Sequence, residues 1–328
     1  MINNQNILQC VNFHESSIVP ANPVSIENRN KRLVYKVAYH ERAKLSHQPS
    51  AYMRWRGVDN CDLPGTDEMF PAEDWVEPVA GFYDYKPFRP NNGWEDWHVN
   101  FADPSLFAYY GGPLLAQDEM MVAEHPVLAN LREHLLAIGC PTLTCEDDRP
   151  TPATIRDVPR RCSIDTSPCD DRPNGLYGFR FAMASPDAVR SAVTSIDPPA
   201  MTNVIAMSSI PGGYGRYTED EIGYLLKTAY TGFAAARFQS DSNQVVVHTG
   251  FWGCGAFGGN KTLMTLIQVI AASMANVRLV FHYGDESDRA IVEEAVDCFD
   301  HNFRWMGSPG FVPALWHWGF QWGRSDGN

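Results

Sequence analysis

Two stretches of this chain carry residue types in patterns that could do chemistry. The first runs Thr249-Gly250-Phe251-Trp252-Gly253-Cys254-Gly255-Ala256-Phe257-Gly258-Gly259-Asn260, with five glycines in ten residues. Glycine admits positive φ and lets backbone N–H groups approach a ligand closely. Placed between a strand and a helix, such a loop gathers amides at the positive end of a helix dipole, which suits a phosphate. It is neither G-x-x-x-x-G-K-[ST] nor a clear G-x-G-x-x-G with a following acid, so neither usual nucleotide fingerprint applies. A tight turn with no ligand is the competing reading. The second stretch is Gln117-Asp118-Glu119, which follows Tyr109-Tyr110-Gly111-Gly112. Two neighbouring carboxyls at a helix start could divide the work of orienting a hydroxyl and acting as acid and base. Ordinary N-terminal acidity, favoured by the helix dipole, would give the same pattern.

The elements that must position these residues are legible mainly after Trp97. Gln117 to Ala137 has helical apolar spacing, with Pro126 as a kink or a break between two helices. Residues 139–175 are dense in Pro, Asp, Arg and Cys and read as a long loop. Asn203 to Ser208 reads as a buried strand. Thr218-Glu219-Asp220-Glu221 resembles a capping box opening a helix to about Phe238. Gln244 to His248 and Arg278 to Tyr283 read as strands, Lys261 to Met274 and Glu286 to Phe303 as helices. This alternation implies an α/β layered fold with a partly parallel sheet. Residues 1–90 show few periodic segments; Leu33 to Tyr39 is their best strand candidate. They are expected to be an accessory segment packed on a core spanning 91–328. The aromatic stretch Trp316 to Trp322 is expected to pack back onto that core.

Composition narrows the partners. The 328 residues carry 26 Lys plus Arg against 39 Asp plus Glu, a formal charge of −13. An acidic chain is not drawn to nucleic acid or an anionic membrane by bulk charge, although one small anion can be held by local amides. No stretch reaches the roughly 18–20 apolar residues of a membrane span. The N-terminal residues lack a basic, then apolar, signal pattern, so an intracellular or cytoplasmic location with reduced cysteines is expected. The eight cysteines, Cys61 among them, lack the tight spacing of common zinc sites, and no metal or cofactor is expected.

Val247 to Ala272, VHTGFWGCGAFGGNKTLMTLIQVIAA, resembles the signature A-T-G-N-W-G-C-G-A-F-G-G-D and the following L-x-x-L-I-Q helix of poly(ADP-ribose) glycohydrolases. That family's V-D-F-A-N and Q-E-E stretches are mirrored by Val99-Asn100-Phe101-Ala102-Asp103 and Gln117-Asp118-Glu119. Leu226 to Phe233 is similar to L-N-K-A-Y-x-G-F, and Phe281 to Asp285 to F-T-F-G-D. The matches fall in family order across roughly residues 97–285. The resemblance implies a macrodomain: a three-layer α/β/α fold with a mixed central sheet that holds ADP-ribose. It implies Glu119 as catalytic acid and base beside Asp118. It also implies that Asn100, Phe101, Gln117, Gly253, Cys254, Gly255, Ala256, Phe257 and Gly258 surround the diphosphate and distal ribose. Tyr283 would stack on adenine and Tyr177 would cover the ligand.

The departures surround the distal ribose. Asp118 stands for Glu, Asp103 for Asn, Asn100 for Asp and Phe251 for Asn, and a three-glycine loop is replaced by Phe107-Ala108-Tyr109-Tyr110-Gly111-Gly112. Three carboxyls, at 103, 118 and 119, would repel unless a cation entered, and a guanidinium is the natural bidentate partner. The expected substrate is therefore ADP-ribosylated protein, modified on arginine. The alternatives are cleavage of poly(ADP-ribose) and an ADP-ribose-binding module without turnover; an unrelated phosphate-binding enzyme is a further reading. His248 and His282 read as structural, Lys261 as a solvated helix start, and Trp252 as loop packing. Arg160-Arg161 and Glu146-Asp147-Asp148 read as solvated loop charges.

Overall fold

The computed structural model describes residues 2–59, 63–66, 71–90 and 92–327, so Cys61 lies outside the described residues. Its strands are β1 (Ile7–His14), β2 (Pro49–Trp55), β3 (Val76–Ala80), β4 (Trp94–Phe101), β5 (Cys145–Glu146), β6 (Arg149–Pro150), β7 (Ala153–Ile164), β8 (Val193–Met207), β9 (Gln244–Thr249) and β10 (Arg278–Tyr283). Its helices are α1 (Glu15–Ala21), α2 (Arg29–Ala38), α3 (Gln117–Glu124), α4 (Val127–Ala137), α5 (Arg180–Met183), α6 (Pro186–Ala192), α7 (Glu219–Gln239), α8 (Lys261–Ala275), α9 (Glu286–Asn302) and α10 (Phe311–His317).

Eight strands form one mixed sheet in the order β1-β2-β7-β8-β4-β9-β10-β3. The block β8-β4-β9-β10-β3 is parallel, while β1, β2, β7 and β8 pair antiparallel. Residues before 91 thus supply β1 and β2 at one edge and β3 at the other. Alternation along each strand divides the apolar residues between two layers. Trp97, Val99, Ile205, Met207, Val245 and Val247 enter one core with α7, α8 and α9. Val204 and Ala206, on the opposite face of β8, join Phe13, Ile18, Met121, Val122, Leu128 and Leu131 from the α1, α3 and α4 side. The fold is α/β, with helices on both faces of the sheet.

Local signals explain the helix ends. Pro126 separates α3 from α4. At α7 the Glu221 amide donates to Thr218 Oγ1 at 3.2 Å, and the Thr218 amide donates to Glu221 Oε2 at 2.7 Å. Asn260 Oδ1 accepts from the Leu263 amide at 3.0 Å and opens α8 at the end of the glycine loop.

Two expectations are corrected. Leu33 to Tyr39 lies mostly in helix α2, not a strand: Asn28 Oδ1 caps it through the amides of Asn30 and Lys31, and Val34 and Ala38, four apart, share its buried face. Residues 139–175 are not one long loop, because Ala153–Ile164 forms β7, paired on both sides. The 316–322 stretch packs back as expected, with Trp316, Phe320 and Trp322 against the α7–α8 core.

Candidate active site

A cleft of about 420 Å³ opens where the C-terminal end of β4, the start of α3 and the glycine loop converge. Asp103, Gln117, Asp118, Glu119, Phe101 and Tyr177 line it from one side, and Gly253, Gly255, Ala256 and Phe257 from the other. The size suits a ligand of small-molecule dimensions. It lies outside the carboxyl ends of parallel strands, where open α/β sheets bind ligands.

Gln117 fixes the start of α3 to the strand. Its Oε1 accepts from the Phe101 amide at 2.7 Å, and its Nε2 donates to the Val99 carbonyl at 2.9 Å. Asn100 projects from β4 opposite to Trp97 and Val99, so it reaches α3, and its Nδ2 donates to Asp118 Oδ1 at 3.0 Å. Glu119 Oε2 accepts from the Ala116 amide at 3.0 Å, the acidic half of a capping box whose N-cap residue cannot reciprocate. Both carboxyls are nearly buried, Asp118 at 7% and Glu119 at 5% exposure. Burial, followed by the charge of Glu119, pushes Asp118 up to about 7. Burial also raises Glu119, against the charge of Lys31 and the Ala116 amide. The corner therefore favours one proton on two carboxyls near neutrality, a state with both an acid and a base.

Asp103 is half-buried, which raises it. Its Oδ1 accepts from the Ser105 amide at 2.8 Å, and the Arg132 charge acts on it. Lys31 on α2 was not singled out by sequence reasoning, yet it is buried and its charge acts on Glu119 and then Asp118. It follows Asn28, the cap signal of a helix read as a strand, and its partner acids lie some ninety residues away. The corner thus contains its own cation. The three acids therefore do not by themselves call for a guanidinium from the substrate.

The glycine loop is built on close approach. Gly253 has φ +76°, and a Cβ there would lie 2.4 Å from Ser209 Oγ. Trp252 is buried beneath the loop, with Nε1 donating to the Met207 carbonyl at 2.9 Å. Tyr177 reaches the cleft from the segment before α5 and stacks on Phe82, with centroids 5.4 Å apart. Burial, then the charge of Asp326, pushes its hydroxyl up to about 12. The segment after α10 crosses the loop: Trp322 stacks on Tyr217 at 4.2 Å, the Asp326 amide donates to the Gly255 carbonyl at 3.3 Å, and Asp326 lines the cleft.

Other singled-out residues lie elsewhere. Asn100 stands behind Asp118 and does not line the cleft. Gly258 is covered by Ser325, whose amide nitrogen would lie 2.9 Å from a Cβ there. Cys254 turns toward the core, and burial pushes its thiol well up. Tyr283 is buried at the end of β10, beside β3 and away from the cleft lining. His248 and His282 share a separate pocket; His248 Nε2 meets Asp96 Oδ1 at 2.9 Å and its Nδ1 faces His282 Nε2 at 3.2 Å. Lys261 is, as expected, an exposed lysine at a helix start, and it also pairs with Asp288. Arg160 and Arg161 are not solvated loop charges: they are buried in β7, Arg160 on Glu124 at 3.0 Å and Arg161 on Glu15. Glu146 pairs with buried Arg54 at 2.6 Å.

Residues 177–290 match the family described as poly(ADP-ribose) glycohydrolase (PARG), macro domain fold. That span contains the glycine loop, the Leu226–Phe233 stretch and the Phe281–Asp285 stretch; the acidic pair precedes it. The likeness read from those motifs is thus to this family. Poly(ADP-ribose) glycohydrolase 2 of Caenorhabditis elegans is 36% identical over 86 residues, 26% of this chain and 17% of that relative's length. Among solved structures, poly(ADP-ribose) glycohydrolase from Thermomonospora curvata aligns with a TM-score of 0.46 and 14% identity, covering 81% of this chain and 88% of that one. The Deinococcus radiodurans protein in complex with ADP-ribose aligns at 0.40 and 9%, covering 88% and 92%. Among the described residues no helix is long and apolar enough to cross a membrane.

Proposed function

We propose that this protein is an ADP-ribosyl glycohydrolase that cleaves ribose–ribose bonds of poly(ADP-ribose). The observation that carries the reading is one cleft in which Asp118 and Glu119 face Gly253, Gly255, Ala256 and Phe257. The glycine loop takes the diphosphate through backbone donors, so no basic surface is required. The distal ribose then lies toward the carboxyls.

Glycosidic cleavage proceeds through an oxocarbenium-like state that needs a negative group near the anomeric carbon and a proton for the leaving oxygen. Glu119 delivers that proton as the glycosidic C–O bond breaks. Asp118 holds the distal ribose, and the negative charge left on the pair, whose shared proton Glu119 delivers, offsets the developing positive charge. Water then adds to the anomeric carbon and returns its proton to Glu119, which is restored for the next cycle. Asn100 holds Asp118 from behind, and Gln117, which lines the cleft, ties the start of α3 to β4. Tyr177 closes the cleft over the ligand.

Polymer is preferred over arginine conjugates as substrate because the matched family is the glycohydrolase and because Lys31 already supplies the counter-charge. E119Q tests the assignment. It is expected to lose about 10²–10⁴-fold in ADP-ribose release while binding ADP-ribose within a few-fold of wild type by calorimetry. A wild-type protein that binds ADP-ribose yet releases none from any conjugate would be a binding module instead.

A further inference from the structure

The loop 107–112, which lines the cleft through Tyr109 and Gly112, does not stand alone. Residues 25–31 are docked on it: the Glu27 and Asn28 amides both donate to the Gly111 carbonyl, at 3.1 and 3.0 Å, and the Ser25 amide donates to the Tyr110 hydroxyl at 3.0 Å. The chain then enters α2, whose first turn carries Lys31. That lysine is 3% exposed, and its Nζ donates to the Tyr109 carbonyl at 3.1 Å. Tyr109, Asp118 and Glu119 line the same cleft, and α2 packs beside α3. An ammonium so deep is costly unless paired, and a single carbonyl does not offset that cost.

We propose that Lys31 is a positioning residue of the reaction: its buried ammonium, fixed on the Tyr109 carbonyl, is the built-in counter-charge that keeps one carboxyl of the Asp118–Glu119 pair ionised while the other keeps its proton. This rests on the glycohydrolase reading. Lys31 does not line the cleft and touches no reacting atom; it acts through the pair.

The charges facing the pair come from every neighbouring element. Asp103, from the turn after β4, opposes ionisation, and Arg132 on α4 acts chiefly on Asp103. Tyr177 faces Glu119 from the segment before α5, and Asp326 acts on Tyr177. Lys31 is the cation whose charge acts on both carboxyls of the pair. Burial brings Lys31 itself down to about 8, and the two carboxyls work against that fall. At neutral pH it is therefore largely charged. A nearby cation favours the charged form of a carboxyl, so removing Lys31 is expected to raise the ionisations of the pair.

The test compares wild type, K31M and K31R, measuring ADP-ribose release from polymer against pH alongside the carboxyl ¹³C midpoints of Asp118 and Glu119. K31M is expected to move both limbs of the rate profile, and both midpoints, upward by about one pH unit. K31R, which keeps the charge, restores the wild-type limbs. A K31M profile that drops uniformly, with unmoved limbs and midpoints, would make Lys31 a packing residue and overturn the proposal. K31Q replaces K31M if that chain does not fold. If wild type releases no ADP-ribose at all, the glycohydrolase reading fails. The ¹³C midpoints then decide Lys31 alone: raised in K31M they support it, unmoved they refute it.

Discussion

Asp118 and Glu119 owe their chemistry to how little water they meet. Asp118 is held up to about 7, against an ordinary value of 3.8, by burial first and by Glu119 second, while the Asn100 amide group pulls the other way. The consequence for stability has a definite sign. Between the ordinary value and about 7 the folded protein keeps a proton that the unfolded chain has lost, so stability falls as pH rises through that window. Asparagine at this position cannot ionise and keeps the shape. D118N is therefore expected to gain in Tm relative to wild type on going from about pH 5 to about pH 8, while losing activity. A Tm difference that is constant across that range, measured by calorimetry, would show that the carboxyl's burial carries no such cost.

At the scale of elements, the site is a junction between a strand end, a helix start and two loops, and each contact is specific. Gly111 is where the N-terminal segment meets the loop 107–112; a Cβ there would lie 2.4 Å from the Ser25 carbonyl oxygen. G111A must push residues 25–31 away and tilt the loop that carries Tyr109. It is expected to lower kcat by about tenfold to a hundredfold with a smaller change in ADP-ribose affinity, since the glycine loop is untouched. Equal losses in both would mean that the loop positions the ligand rather than the reacting bond. The elements most legible in sequence were those with local signatures: the Thr218–Glu221 cap, the Pro126 break, the glycine loop before Asn260. Leu33 to Tyr39 misled because Val34 and Val37 suit a strand, whereas the deciding signals were the Asn28 cap and a buried face shared with β7, α5 and α6. Arg160 and Arg161 misled for another reason. Their partners Glu124 and Glu15 lie 36 and 146 residues away, and nothing local announces an ion pair closed over that distance. Lys31 escaped notice on the same ground, and its omission made the acidic corner look as though it lacked a cation. Asp118 and Glu119, and the glycines of the loop, were legible as clusters because each is a run of neighbouring residues, and the cleft brings Asp118 and Glu119 together with Gly253, Gly255, Ala256 and Phe257; Cys254, Gly258 and Tyr283, carried over from the motif, do not line it.

The whole molecule sets the remaining constraints. One sheet of eight strands is completed at both edges by residues before 91, and those same residues brace the loop 107–112 and supply Lys31. The net charge of −13 offers no bulk attraction to a polyanion. Behind the cleft, the charge of buried Lys31 acts on the acidic pair. The decisive measurement is ADP-ribose release by the wild-type protein, side by side, from purified poly(ADP-ribose) and from arginine-ADP-ribosylated protein at equal ADP-ribose content. Steady release from polymer, with little or none from the arginine conjugate, is expected. Rapid release from the arginine conjugate with polymer left intact would contradict the proposed function.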